Sequence, residues 1–211
     1  MKFDSVILDV DGTIWDTTDI VAQAWNCAID KMFPVVPHVT GNILKGQFGK
    51  TMKTIADNLF VGLEQEEKAR LMEECCRQEQ LALKANTKNI TYDGVVETIR
   101  ELHSKGVPLF IVSNCQKGYI EVVIAKNQIA GYITDFECYG NNGFDKAQNI
   151  KLICERNDLH SPVYVGDTQG DADACRGAGV PFIWAAYGFG KAESFYQKIE
   201  KFEELKNVIH L

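Results

Sequence analysis

The sequence predicts an α/β fold, a doubly wound parallel sheet interrupted by an all-helical insertion. Three observations predict it. From about residue 89 onward, short apolar runs alternate with helical patterns, as in parallel strands joined by crossover helices. One further apolar run, Val6-Ile7-Leu8, stands alone near the start. Between Trp15 and Asn89 no strand pattern occurs. The chain is therefore expected to divide into a core formed by residues 1–14 and 89–211 and a helical block formed by residues 15–88.

In chain order, residues 6–14 read as a buried strand, rich in β-branched residues, that turns at Gly12. Residues 16–32 carry apolar side chains at helical spacing (Ile20, Val21, Ala24, Trp25, Ala28, Ile29, Met32), with Asp16 or Thr17 as cap and Pro34 and Pro37 beyond the end. Gly41, Gly46 and Gly49 punctuate a short helical or loop segment. Residues 51–60 and 64–84 read as two more helices, the longer with a stripe through Ala69, Met72, Cys76 and Leu83. An amphipathic helix over 93–105 is closed by Gly106 at C′. Strands are then expected at 107–112, 133–139, 163–165 and 180–185, and helices at 119–127, 145–156, 171–178 and 202–210.

The 211 residues carry a net charge of −7, which argues against nucleic acid or an anionic membrane as partner. No apolar run is long enough to span a membrane, and Met1-Lys2-Phe3-Asp4 leads into the strand without a signal-peptide pattern. The seven cysteines are scattered, with no C-x-x-C, and read as reduced thiols of a cytoplasmic protein.

Polar residues gather where the predicted strands end. Asp9 and Asp11 close the first, Ser113 and Asn114 the second, and Gly166-Asp167 with Asp171 a later one. In an open α/β sheet these ends share one edge, so the side chains can converge in a crevice. Each group alone has a plainer reading, as a turn or a capped helix start. Paired carboxylates in such a place call for a cation, and Mg²⁺ suits them because it leaves room for water and phosphate oxygens. Lys146 opens a predicted helix, where its charge opposes the helix dipole, which suggests a specific anionic partner.

Asp9-Val10-Asp11-Gly12-Thr13, Ser113-Asn114, Lys146 and Gly166-Asp167-Thr168-Gln169-Gly170-Asp171 resemble, in order, the four motifs of the haloacid dehalogenase-like (HAD) superfamily. Residues 171–180 are similar to that family's D-x-x-A-x-x-A-G helix. The resemblance covers the whole chain and lies nearest the phosphoglycolate phosphatase and β-phosphoglucomutase branch. It implies a Rossmann-like core with a helical cap and a phosphatase acting on a small phosphorylated metabolite: phosphoglycolate-like, a sugar phosphate or a nucleotide. Asp9 would be the nucleophile, forming an aspartyl-phosphate, and Asp11 the general acid–base. Mg²⁺ would be held by Asp9, the Asp11 backbone carbonyl, Asp167 and Asp171. Ser113 and Lys146 would stabilise the transferring phosphoryl group, with Asn114 beside Ser113 to orient it.

Ala147 stands where the family often has proline, which leaves Lys151 and Lys117 as alternatives to Lys146. The β-phosphoglucomutases carry a histidine where this chain has Val21, which favours a phosphatase over a phosphomutase. A non-catalytic, metal-dependent phosphate-binding protein is the third reading. The loop 46–51, with Gly49 and Lys50, is either a substrate loop or a plain connection. Trp15 is either a pocket wall or a packing residue.

Overall fold

A computed structural model describes residues 3–209. Six parallel strands form one sheet: β1 (Ser5–Leu8), β2 (Leu109–Ser113), β3 (Asp135–Cys138), β4 (Pro162–Gly166), β5 (Phe182–Ala185) and β6 (Gln197–Ile199), in the order β3-β2-β1-β4-β5-β6. The chain winds outward from β1 through β2 to β3, then crosses to β4 and winds the other way. The direction therefore reverses between β1 and β4, where α/β sheets hold their ligands.

Strand residues alternate between the two faces, as the pleat requires. Val6, Leu8, Leu109, Ile111, Val163 and Val165 share one apolar cluster with α5 (Val95–Ser104), α6 (Tyr119–Lys126), a 3-10 turn (Phe202–Glu204) and the last helix (Leu205–Val208). Ile7, Phe110, Val112 and Tyr164 face the other way, onto α8 (Lys146–Arg156) and α9 (Gln169–Ala178). Burial on both faces explains why these strands read as unbroken apolar runs.

Four helices lie between β1 and β2 ahead of α5: α1 (Thr18–Met32), α2 (Gly41–Lys45), α3 (Met52–Leu59) and α4 (Gln65–Ala85). They bury an apolar cluster of their own, built on Val21, Trp25, Ile29, Leu44, Ile55, Phe60, Leu71 and Cys75. The chain enters and leaves this block side by side. Asp16 N–H donates to Ile90 O at 2.8 Å and Tyr92 N–H to Ile14 O at 3.0 Å, a two-stranded connection at its base.

Four sequence expectations are corrected. The stripe of α4 runs through Leu71, Met72, Cys75, Glu79 and Leu83, whereas Ala69 is exposed and Cys76 half-buried. The segment 133–139 forms a strand only from Asp135 to Cys138 and turns into the short α7 (Tyr139–Asn142). The strand β6 has no apolar run to announce it: two of its three residues are exposed at the sheet edge. The final helix breaks into the 3-10 turn and a short α-helix, and the expectation for His210 lies outside the described residues, as do Met1 and Lys2. Among the described residues no helix is long and apolar enough to cross a membrane.

Candidate active site

The site lies at the carboxyl ends of β1, β2 and β4. Directly after β1, Asp9 is buried, and its N–H donates to Val165 O at 2.8 Å, tying it to β4. The chain then turns through Gly12 at φ +81°. A β-carbon there would be strained and would run into the Asp167 carboxylate, so this turn requires glycine.

Lys146, the first residue of α8, is buried and reaches across the sheet edge. Its Nζ donates to Asp9 Oδ1 at 2.8 Å and to Asp171 Oδ1 at 2.5 Å. Burial works against the ammonium, but Asp171 and Asp9 outweigh it and hold the charge on. Lys151 and Lys117, the alternatives, are exposed. Asp171 closes a capping box at the start of α9: its Oδ2 accepts from Thr168 N–H at 2.9 Å and from the Thr168 hydroxyl at 2.7 Å. Despite burial, Lys146 and these bonds keep Asp171 below the usual carboxylate range.

Asp167 is buried one residue beyond β4. Its Oδ2 accepts from Phe189 N–H at 2.6 Å and Gly190 N–H at 3.3 Å, while its Oδ1 is buried without a hydrogen-bond partner. Burial, then the charges of Asp171 and Asp9, raises its pKa well above the usual range. Asp9, Asp167 and Asp171 each offer an oxygen within 4.8 Å of the others. Three buried carboxylates with one orphaned oxygen fit a hard divalent cation, which takes oxygen ligands.

Asp11 is placed differently. Its carboxylate stands outside that cluster, so only its backbone carbonyl is left for the metal role expected of it. Its Oδ1 accepts from Trp15 Nε1 at 3.1 Å and from the Tyr119 hydroxyl at 2.7 Å, with the Thr17 hydroxyl 3.3 Å away. Burial pushes its pKa up to about 8, whereas Asp9, also raised by burial but relieved by Lys146, stands at about 6. Trp15 is fully buried and holds Asp11, so it packs and positions at once.

Ser113, at the end of β2, is buried, and it and Asn114 line a crevice with Asp9, Asp11, Gly49, Lys50, Met52, Ile55, Glu79, Gln116 and Tyr119. The loop 46–51 closes over it, with Asn114 Nδ2 donating to Gly49 O at 2.7 Å. Lys50 is exposed, and its Nζ is held by Gly46 O and Gln47 Oε1 at 2.9 and 3.1 Å.

Sequence reasoning missed Tyr119, Tyr164, Gln116 and Glu79. Tyr164 donates to Val112 O at 2.8 Å and lies 3.4 Å from Asp9 Oδ1. Glu79, on α4, is buried in the crevice wall and accepts from Trp25 Nε1 at 2.7 Å and Gln116 Nε2 at 2.8 Å. Burial raises its pKa to about 7. A signal for Glu79 existed: it sits four residues after Cys75 and four before Leu83, an acid at a core position of an amphipathic helix.

Comparison with known proteins places this geometry. A protein from Nitrosospira multiformis named phosphoglycolate phosphatase is 24% identical over 203 residues, covering 92% of this chain and 87% of its own. A phosphoglycolate phosphatase from Vibrio parahaemolyticus is 22% identical over 89% of this chain and 86% of its own. Among solved structures, a mutant of CbbY from Rhodobacter sphaeroides in complex with xylulose-1,5-bisphosphate superposes with a TM-score of 0.79 at 15% identity, covering 96% of each chain. A haloacid dehalogenase-like family hydrolase from Streptococcus pneumoniae superposes with a TM-score of 0.83 at 15% identity, covering 98% of each. The family model described as haloacid dehalogenase-like hydrolase matches residues 6–185, spanning the carboxyl ends of β1, β2 and β4 that form the site, and the chain belongs to that family.

Proposed function

We propose that this chain is a Mg²⁺-dependent phosphomonoesterase that cleaves a small phosphorylated metabolite through an aspartyl-phosphate on Asp9. Family membership and the full-length phosphatase relatives make it a phosphatase-type hydrolase. The observation that carries the finer reading is the convergence of Lys146, Asp9 and Asp171 beside the orphaned oxygen of Asp167. Asp9, Asp167 and Asp171, with the Asp11 carbonyl, would hold Mg²⁺, which when bound neutralises phosphoryl oxygens and offsets the acidic cluster.

Asp9 attacks phosphorus in line, with Lys146 orienting its carboxylate. Asp11 acts as acid, then base. Its Oδ1 is crowded by donors, so the proton belongs on Oδ2, and a pKa of about 8 keeps it protonated at neutral pH until the leaving oxygen needs it. Ser113 and Lys146 stabilise the charge on the transferring group. Asn114, tied to Gly49, couples the strand end to the helical block, which we take as a lid formed by residues 15–88 over a core of 1–14 and 89–211.

Val21 is packed in the lid core and supplies no titratable group of the kind a β-phosphoglucomutase-like phosphomutase uses, which supports hydrolysis. The names of the relatives and the bisphosphate bound to CbbY support a small acid or sugar phosphate as substrate. Seven free cysteines support a cytoplasmic setting.

Phosphate release from a panel of esters tests the reading. Release should require Mg²⁺, stop with EDTA and vanish in Asp9→Asn, with the variant's fold intact by circular dichroism. Substantial turnover by Asp9→Asn would overturn the nucleophile assignment. Isomerised sugar phosphate in place of free phosphate would point to the mutase, and binding of phosphate without turnover to a phosphate-binding role.

A further inference from the structure

We propose that the crevice is built for a polyol phosphate, a small ester whose leaving group donates hydrogen bonds, and that Glu79, Gln116 and Asn114 receive those donors and turn carboxylated esters away. This specificity rests on the phosphatase reading above and chooses, between the small acid and the sugar phosphate offered there, the hydroxylated ester.

Two amides define the receiving wall. Gln116 Nε2 donates to Glu79 Oε1 at 2.8 Å, and Asn114 Nδ2 donates to Gly49 O at 2.7 Å. The Gly49 carbonyl fixes the Asn114 amide, and the ionised Glu79 carboxylate fixes that of Gln116, because a flipped amide would then set oxygen against oxygen. Their own oxygens, Gln116 Oε1 and Asn114 Oδ1, are buried and have no hydrogen-bond partner. Both residues line the crevice. A buried acceptor without a donor is costly, and natural structures seldom keep one without use.

Glu79 adds a third acceptor in the same wall. It is only 3% exposed, yet each of its oxygens has one donor, Trp25 or Gln116, and each can accept a second. The wall therefore offers acceptors in excess of donors, the complement of a hydroxylated leaving group. Where Glu79 is ionised, a carboxylate entering the wall would face its charge. Among the described residues that line the crevice, the cationic one is Lys50, which stands exposed and is already held by two acceptors of its own loop. The crevice is narrow, with the loop 46–51 drawn to the strand end by the bond from Asn114 to Gly49 O, so the ester enters as the helical block moves away from the strand ends.

A matched set of esters provides the test: glycerol phosphate, phosphoglycolate, ethanolamine phosphate and an aryl phosphate as common reference, each measured as kcat and KM. Wild type should favour glycerol phosphate over phosphoglycolate by about 10–100-fold in kcat/KM, the size of a hydrogen bond to a charged group, and mainly through KM. Glu79→Gln should collapse that ratio, weakening glycerol phosphate and improving phosphoglycolate. Gln116→Met keeps the charge and removes the waiting carbonyl. It should weaken glycerol phosphate without improving phosphoglycolate, and it keeps the question answerable if Glu79→Gln does not fold. Wild-type preference for phosphoglycolate, or a ratio unmoved in both variants, overturns the proposal while aryl phosphate hydrolysis leaves the phosphatase reading standing. Preference for ethanolamine phosphate overturns the polyol assignment in favour of an ammonium. No hydrolysis of any ester removes the phosphatase reading and this proposal with it.

Discussion

Removing an acid from the centre of this site should make the metal-free protein more stable. Asp9, Asp167 and Asp171 place carboxylate oxygens within 4.8 Å of one another, and Lys146 donates to Asp9 and Asp171 but not to Asp167. Two unit charges 4.8 Å apart repel by about 3.5 kcal/mol at an effective dielectric constant of about 20. Asp167→Asn deletes two such repulsions wherever Asp167 would otherwise be ionised. Against that gain stand weaker bonds from Phe189 and Gly190 N–H, about 1 kcal/mol each, and the lost attraction of Lys146. The net expectation in chelator is a stabilisation of about 1–3 kcal/mol, a rise in Tm of about 2–7 °C for a chain of this size.

The sign of the pH dependence follows. Asp167 has a folded pKa well above its unfolded value, so the folded state binds the extra proton, and stability falls as pH rises past the ordinary carboxylate range. The advantage of the variant is therefore small at low pH and grows toward alkaline pH. Saturating Mg²⁺ reverses the order, since a ligand at a thousand times its Kd adds about 4.1 kcal/mol to wild type and little to a variant missing a ligand. Thermal unfolding over a pH series, with EDTA and with Mg²⁺, measures both effects. A variant less stable than wild type in EDTA at every pH, with an undiminished Mg²⁺ shift, would refute the reasoning.

Lys146→Met should act in the opposite sense. It strands buried carboxylates and should cost about 3–5 kcal/mol in chelator, with part recovered as the pH falls, because Asp9, whose pKa rises once Lys146 no longer lowers it, then takes up a proton. Stopped assays of the folded variant should show kcat lower by about 10²–10³, the usual loss of a group that stabilises transition-state charge. Tyr119→Phe removes the 2.7 Å donor that lowers the Asp11 pKa. The alkaline limb of the kcat profile should therefore move to higher pH, and an unmoved limb would sever Tyr119 from Asp11.

The parts of this site that could be read from sequence share a physical cause. Buried parallel strands are apolar throughout, so a polar residue at a strand end stands out, and Asp9, Ser113 and Asp167 each break such a run. Lys146 was legible because a cation at a helix start opposes the dipole, and the two acids it reaches explain the exception. The edge strand β6 was illegible for the converse reason: solvated at the edge, it needs no apolar run. The loop 46–51 reaches the strand end through a backbone oxygen, Gly49 O, and backbone contacts leave no mark on residue type.

Glu79 is the most instructive miss. Helical periodicity places positions 75, 79 and 83 on one face, and the stripe expected through Ala69 and Cys76 passed beside it. On the correct face the acid interrupts an apolar seam, which costs stability unless it is satisfied, and Trp25 and Gln116 satisfy it only in part. Where a core position carries a charge that the fold itself does not need, local pattern and folding stability part company, and that is where specificity can be written into a lid. On the reading proposed above, the four motifs at the strand ends carry the chemistry, and the choice of substrate falls to residues such as Glu79 and Gln116, which the packing of the helical block against the strand ends brings to the same crevice.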